Sequence, residues 1–270
     1  MIEVLKYILI GLVQGLAEVL PISSSAHLII VQELLKISED GLTYEIFLHL
    51  ASLIAVLAFL WKKFWNLLKG FCLYVFKKQK EYKTDFMYCL YIVISTIPTV
   101  IFTLALGKLV DLAASKLYVV GSLLIINAIV LFVLSRFSGN RTKEDLTWKD
   151  ALVVGLFQCG GIFPGISRSG SCLSGAFLRR VDKETAADYA FMMFIPAVVG
   201  ATVLELTHIS EINLVSSKIY LYLISFIVAG LATYFAFSIL LKVIRKGKLS
   251  YFSIYCLIIG LATIIYSICR

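Results

Sequence analysis

Charge is scarce in this sequence. Only 16% of its 270 residues are Asp, Glu, Lys or Arg, against about 25% in a typical soluble domain. Two stretches, 86–107 and 219–241, contain no charged residue at all. With 60% hydrophobic residues, such runs exclude an ordinary soluble globular domain. CxxC pairs are also missing. The six cysteines, Cys72, Cys89, Cys159, Cys172, Cys256 and Cys269, sit mostly inside apolar runs, so they read as small buried hydrophobes, with neither a zinc site nor a disulfide. The N-terminal apolar run lacks a clear small-residue cleavage site and carries Gln14 and Glu18. It is therefore expected to be retained structure, not a secretory signal.

What is present are apolar runs long enough to cross a bilayer, which takes about 20 residues each. Six are expected to span: 42–61, 86–107, 117–135, 185–207, 219–241 and 250–269. Two further apolar stretches are interrupted. Residues 2–35 are broken at Pro21 and Ser23-Ser24-Ser25, and residues 150–180 at Gly160-Gly161 and Pro164-Gly165. Each half is too short to cross at 1.5 Å per residue, so both stretches read as re-entrant helical hairpins. Non-helical backbone at membrane depth is tolerated only where protein buries it or it lines a cavity, so each break predicts a site. The fold class expected is an all-α polytopic membrane protein in a single domain, 1–270.

The net charge of +8 does not point to nucleic acid, because its carriers sit between the apolar runs. Segments 62–83, 136–149, 179–183 and 242–248 hold 18 of the 25 basic residues. Six spans and two same-side hairpins bring all four segments to one face, which the positive-inside rule makes cytoplasmic. The first hairpin then enters from outside and the second from inside.

The two interrupted segments also match each other. Gly11, Leu12, Gln14, Ile22, Ser23 and Ser25 recur as Gly155, Leu156, Gln158, Ile166, Ser167 and Ser169, all at an offset of 144. Hairpins entering from opposite faces would make 1–135 and 150–270 an inverted-topology repeat. That architecture places binding sites near the midplane, where half-helix N-termini converge.

Each break carries chemistry. In the first, Gln14 and Glu18 share a helical face, and a carboxylate inside a membrane segment is a functional candidate by default. Ser23 is the expected N-cap of the second half-helix. Ser24 and His27, three apart, form a nucleophile with its candidate base. In the second break, Pro164-Gly165 ends one half-helix and Ser167 caps the next, whose backbone N–H groups and dipole favour an anion. Arg168 adds a guanidinium suited to phosphate; its partner at membrane depth is either Glu18 or a phosphate. His49 lies in a span with no evident partner and is expected to serve core packing. His208 is expected in a loop.

Together these motifs resemble the bacterial undecaprenyl-pyrophosphate phosphatase family of the bacitracin-resistance type. Gln14-xxx-Glu18 running on to Pro21, Ser23-Ser24 and His27 is similar to its first signature. The run Pro164-Gly165-Ile166-Ser167-Arg168-Ser169-Gly170 is similar to its second, and the likeness continues through Phe157-Gln158-Cys159, Ser174-Gly175 and Ile195-Pro196. The resemblance implies hydrolysis of a polyprenyl diphosphate to the monophosphate in the bacterial plasma membrane, recycling the lipid carrier for cell-wall synthesis. It implies a divalent cation, Mg2+ or Ca2+, at Glu18 and Gln14. Ser24 and His27 would act in catalysis with Glu18 and Arg168, while Ser23, Ser25, Ser167, Ser169, Gly165 and Gly170 would contact the substrate. Whether Ser24, His27 or water attacks is left open, as is homo-oligomerisation. Gln14 departs from the glutamate common at its position and removes one negative charge from a metal site. A second reading, a lipid-phosphate flippase or anion transporter, would use the same inverted repeat.

Overall fold

The computed structural model describes residues 2–37, 42–137, 139–206 and 219–270; His208 lies outside them. Ten α-helices account for nearly all of it: α1 (Ile2–Val19), α2 (Ser24–Leu35), α3 (Leu42–Lys77), α4 (Lys83–Ala114), α5 (Leu117–Leu134), α6 (Trp148–Gly160), α7 (Arg168–Leu178), α8 (Lys183–Leu206), α9 (Ile219–Arg245) and α10 (Ser250–Cys269). Six of them, α3, α4, α5, α8, α9 and α10, are long and apolar enough to cross a membrane. The chain is a polytopic all-α membrane protein. Helices α1–α2 and α6–α7 form the two hairpins, broken where the proline, glycine and serine clusters fall.

One expectation needs correcting. The span expected over 42–61 does not end before the lysine-rich stretch: α3 continues through it to Lys77, for 36 residues. Lysine is a good helix former, and the extension has tertiary support. Phe71 stacks on Phe86 of α4, with ring centroids 5.7 Å apart. Lys143 pairs with Asp85 at 2.5 Å, beside Gly70, where any Cβ would collide with the Asp85 carboxylate. The basic segment is therefore helical and packed against the start of α4.

Helix packing exchanges partners between the two halves. Helix α1 packs on α9, and α6 packs on α4. Gly11 of α1 meets the Ser225 carbonyl, where a Cβ would not fit, and Gly155 of α6 meets the Ser95 carbonyl in the same way. Helices α5 and α10 cross with Gly121 and Gly260 back to back. These pairings are what an inverted repeat of α1–α5 on α6–α10 requires. Three spans separate the hairpins, so they enter from opposite faces and their breaks meet in the interior.

Outside the membrane-spanning helices, the mouth of the second hairpin is clamped by charge. Asp150, on the first turn of α6, accepts from Arg141 at 2.7 and 2.9 Å and from Arg179 at 2.6 Å. It also caps its own helix through Thr147. Burial alone would raise the Asp150 carboxyl; the hydrogen bonds from Arg141, Thr147 and Arg179 outweigh it and hold the group well below the usual carboxylate range.

Candidate active site

The break between α1 and α2 turns on Ser23, whose φ of 70° is unusual for a residue with a side chain. Ser23 occupies the N-cap position of α2 without a side-chain capping bond. Its Oγ instead accepts from the N–H of Gly165, at 3.0 Å, across the two breaks. Gly165 itself has φ of 122° and lies against the α5 backbone, where a Cβ would meet Leu123 and Val120, so this position demands glycine. In the second break Ser167 is an ordinary N-cap, its Oγ accepting from Gly170 N–H at 3.1 Å. Asn127 of α5 ties the breaks together. Its Nδ2 donates to the Pro21 carbonyl at 3.1 Å, and its Oδ1 accepts from Ser167 N–H at 3.1 Å.

Between the breaks lies a cavity of about 270 Å³. Its wall repeats at the 144-residue offset: Ala17 and Gly161, Glu18 and Ile162, Ser23 and Ser167, Ser24 and Arg168 all line it. Helix α3 adds His49, α4 adds Thr99 and Thr103, and α8 adds Ala197 and Ala201. Both half-helix N-termini, α2 at Ser24 and α7 at Arg168, open onto this space.

Glu18 is the hub. Its Oε1 pairs with Arg168, which also lies over the Phe194 ring, its Cζ 4.4 Å from the centroid. Its Oε2 accepts from Ser24 Oγ at 2.6 Å, from His49 Nδ1 at 2.8 Å and from Gln14 Nε2 at 3.0 Å. His49 Nδ1 also lies 3.1 Å from Gln14 Nε2, which closes the cluster around the carboxylate. Such a cluster makes a buried charge tolerable, because each donor meets a lone pair that water would otherwise solvate.

Several sequence-based expectations are revised here. Ser24 and His27 do not pair. His27 Nδ1 donates to the Ser23 carbonyl at 2.8 Å, and Nε2 faces the Tyr255 hydroxyl at 2.9 Å. Its ring stacks on Tyr255, away from the cavity wall. The group that accepts from Ser24 Oγ is Glu18 Oε2, at 2.6 Å. His49, expected to be packing, belongs to the carboxylate cluster. Gly165 and Gly170 shape the second break instead of lining the cavity; a Cβ on Gly170 would press on Pro21 and Leu131 at 3.2 Å. Ser169 binds Ser167 Oγ at 3.1 Å behind the wall, while Ser25 and Ser167 stay on it. Sequence reading also passed over Asn127. The available signal was an amide inside the otherwise apolar run 117–135, a polar group that must find a partner at that depth.

The fold and this site define an integral membrane protein with a paired acid and arginine at the meeting point of two re-entrant hairpins, equipped to hold an anionic group inside the bilayer. The chain belongs to the family of the bacitracin resistance protein BacA, whose family model matches residues 7–262. It is 38% identical over 265 residues to an undecaprenyl-diphosphatase of Oceanobacillus iheyensis, covering 97% of this chain and 96% of that one. It is 36% identical over 263 residues to undecaprenyl-diphosphatase 3 of Bacillus anthracis, covering 97% of each. To an undecaprenyl-diphosphatase of Methanosphaera stadtmanae it is 37% identical over 278 residues, covering 99% of each.

Proposed function

We propose that this protein is a membrane phosphatase that hydrolyses undecaprenyl diphosphate to the monophosphate and inorganic phosphate, in the bacterial plasma membrane. The observation that carries the reading is the Glu18–Arg168 pair, brought from two breaks to one cavity in a chain whose relatives are named for that activity. Phosphoryl transfer needs positioning and charge neutralisation above all. Arg168 and the N-terminus of α7 offer both to a diphosphate.

In the step we propose, Ser24 Oγ attacks the terminal phosphorus and passes its proton to Glu18, to which it already donates at 2.6 Å. The bond from phosphorus to the bridging oxygen breaks, and polyprenyl monophosphate leaves. Water then cleaves the phosphoserine, releasing phosphate. Arg168 offsets the charge that gathers on the equatorial oxygens. His49, on the same carboxylate oxygen as Ser24, keeps Glu18 oriented as protons come and go.

A divalent cation is part of the proposal. The described residues hold no cluster of three His, Cys, Asp or Glu, so a cage made wholly of protein charge is not on offer. Gln14 Oε1, however, is a buried acceptor without a hydrogen-bond partner, one turn from Glu18. One carboxylate, neutral oxygens and phosphate oxygens make a donor set that Mg2+ accepts. Glu18 and Gln14 would hold the ion, with Ser24 beside them, and it would supply further neutralisation of the diphosphate.

The test is phosphate release from a C55 polyprenyl diphosphate by purified protein, with Mg2+, with Ca2+ and with chelator, beside Glu18→Ala and Arg168→Ala. Cation-dependent release that both substitutions abolish supports the reading. No release from folded protein under any condition overturns it and restores the transporter reading.

A further inference from the structure

Each hairpin carries a glutamine at an equivalent place, Gln14 on α1 and Gln158 on α6, and both are fully buried. Gln14 Nε2 donates to Glu18 at 3.0 Å. In the second hairpin Ile162 stands where Glu18 stands in the first, so Gln158 has no carboxylate to serve. It turns to α4 instead, and its Nε2 donates to Thr99 Oγ1 at 2.8 Å. Behind it, Cys172 of α7 donates from Sγ to Gln158 Oε1 at 3.1 Å. With the thiol on the oxygen, the amide presents its N–H end to Thr99.

This arrangement sets Thr99 apart from the other threonines of the spans. A hydroxyl inside a helix can return its proton to the carbonyl four residues back. Thr96, Thr202 and Thr263 do so, at 2.8 Å each. Among the described residues Thr99 has no such bond, and its oxygen accepts from Gln158. Cys159, the other polar group beside it, donates its thiol proton to the Gly155 carbonyl at 3.3 Å and offers only sulfur, a weak acceptor. The Thr99 proton is therefore left for the cavity, which Thr99 lines. Its place on the wall selects what it meets there. Glu18 and Ser24 enter from the first hairpin, whereas α4 packs on α6 of the second. In-line displacement puts the attacking and leaving oxygens on opposite sides of phosphorus. A terminal phosphate attacked by Ser24 thus turns its bridging oxygen away from the first hairpin. Of the two spans facing that side, α8 contributes only Ala197, Val198 and Ala201 to the cavity, while α4 contributes the hydroxyls of Thr99 and Thr103.

We infer that Thr99 is a binding residue for the ester phosphate of the substrate, the one that leaves with the isoprenoid, and that Gln158 is the positioning residue that keeps the Thr99 proton aimed at it. The inference rests on the phosphatase reading for the identity of the ligand. The two glutamines of the repeat then have parallel tasks. Gln14 steadies the acid on one side of the reacting phosphorus, and Gln158 steadies a neutral donor on the other. A donor at that point meets the charge that develops on the leaving phosphate as the bridging bond breaks. Being neutral, it does so without the grip that a second arginine would keep on the departing product.

The test is binding to the full-length protein in detergent with Mg2+ present, so that it does not depend on turnover. The probe is a farnesyl methylenebisphosphonate, whose bridge cannot be hydrolysed, titrated by calorimetry. Inorganic phosphate, which fills the terminal position alone, is measured by displacement. Thr99→Val removes the hydroxyl at nearly constant volume and should raise Kd for the bisphosphonate about tenfold, as expected for one hydrogen bond to a charged group. The affinity for inorganic phosphate should stay within about twofold of wild type, and Thr99→Ser should restore bisphosphonate binding to the same margin. Gln158→Met should shift the bisphosphonate Kd in the same direction by about threefold and add nothing on top of Thr99→Val, because it acts only through that hydroxyl. Losses that multiply in the double variant overturn the positioning role of Gln158. Equal bisphosphonate affinities for Thr99→Val and wild type overturn the binding role of Thr99. So does an equal loss of inorganic phosphate, which moves the contact to the terminal phosphate, or a larger loss in Thr103→Val. Wild-type protein that binds no bisphosphonate also overturns it. Wild-type protein that binds the bisphosphonate but releases no phosphate from the C55 diphosphate overturns the phosphatase reading alone, and the Thr99 variants still decide the contact.

Discussion

The two hairpins share a backbone plan but divide the chemistry between them. At equivalent offsets the first presents Glu18 and Ser24 to the cavity, and the second presents Ile162 and Arg168. The first break is strained, with Ser23 at φ 70° and its hydroxyl given away to Gly165. The second is conventionally capped by Ser167. The difference teaches that a repeat can supply geometry twice while the chemistry needs each group once. The anionic, proton-accepting half and the cationic, phosphate-binding half face each other because the repeat is inverted. The strained backbone falls on the half that carries the acid and hydroxyl, a common place for such strain.

The division is broken most severely by removing either end of the ion pair. Glu18→Gln should lower kcat for phosphate release by about 10²–10⁴. Arg168→Ala should cost about 10²–10³, and Arg168→Lys should recover only part of that, because an ammonium cannot reproduce a planar two-point grip. Steady-state phosphate release measures all three. The double variant Glu18→Gln/Arg168→Ala should be far less impaired than the product of the single effects, since the two groups form one unit. Fully multiplicative losses would show that each acts alone.

Ser24 and Ser167 sharpen the contrast between the breaks. Ser24→Ala should lose activity by at least about 10²-fold with little change in melting temperature. Ser167→Ala should keep most activity while losing about 1 kcal/mol of stability, the usual value of an N-cap. Rate and thermal melting, measured on both variants, give opposite patterns if Ser24 is chemical and Ser167 structural. Near-normal turnover by Ser24→Ala would transfer the attack to water.

Asn127 holds the two halves in register, so its loss should affect both. Asn127→Leu leaves the Pro21 carbonyl and the Ser167 N–H buried without their partner, which should cost about 2–4 kcal/mol. Chemical denaturation in detergent reads this directly. Activity at low temperature should fall less than for Glu18→Gln, because no reacting group is removed. A melting temperature equal to wild type would mean that other groups join the breaks.

How much of this was legible in the sequence follows from what kind of contact each feature is. The breaks were visible because Pro21 and Pro164-Gly165 interrupt apolar runs, and interruption is a local property. The six spans were visible for the same reason, except that α3 overran its apolar stretch into lysines, which favour helix as well as water. The meeting of Glu18 with Arg168 could be anticipated as one of two partners, because a lone charge at that depth needs one. His49 could not be anticipated. It sits 31 residues from Glu18 in an apolar run, and only the packing of α3 on α1 makes them neighbours. The Ser24–His27 pairing failed for a related reason. Helical spacing put them on one face, but at the first turn of α2 the histidine is captured by the Ser23 carbonyl and Tyr255. Asn127 is a third case, in which one amide serves two backbone breaks that are adjacent only in the folded chain.

The smallest effect lies at the mouth of the second hairpin, clamped by ion pairs of Asp150 with Arg141 and Arg179, whereas the first hairpin joins its arms by a bond from Lys6 Nζ to the Leu35 carbonyl at 2.7 Å. Asp150→Asn keeps an oxygen acceptor for Arg141 and Arg179 but removes the charge. Both arginines are partly exposed, so the loss should be about 1–2 kcal/mol after solvent screening. The pH dependence identifies its source. In the folded protein the Asp150 carboxyl lies well below the usual carboxylate range, so it binds its proton more weakly there than in the unfolded chain. Its contribution to stability is therefore fully present above the unfolded pKa, about 3.9. It declines as pH falls from that value through the folded pKa. The gap in melting temperature between wild type and Asp150→Asn should accordingly hold constant from pH 8 to about pH 5 and narrow below pH 4. A gap that does not change between pH 5 and pH 3 would assign the loss to the altered hydrogen-bond geometry of the amide and remove charge from the clamp.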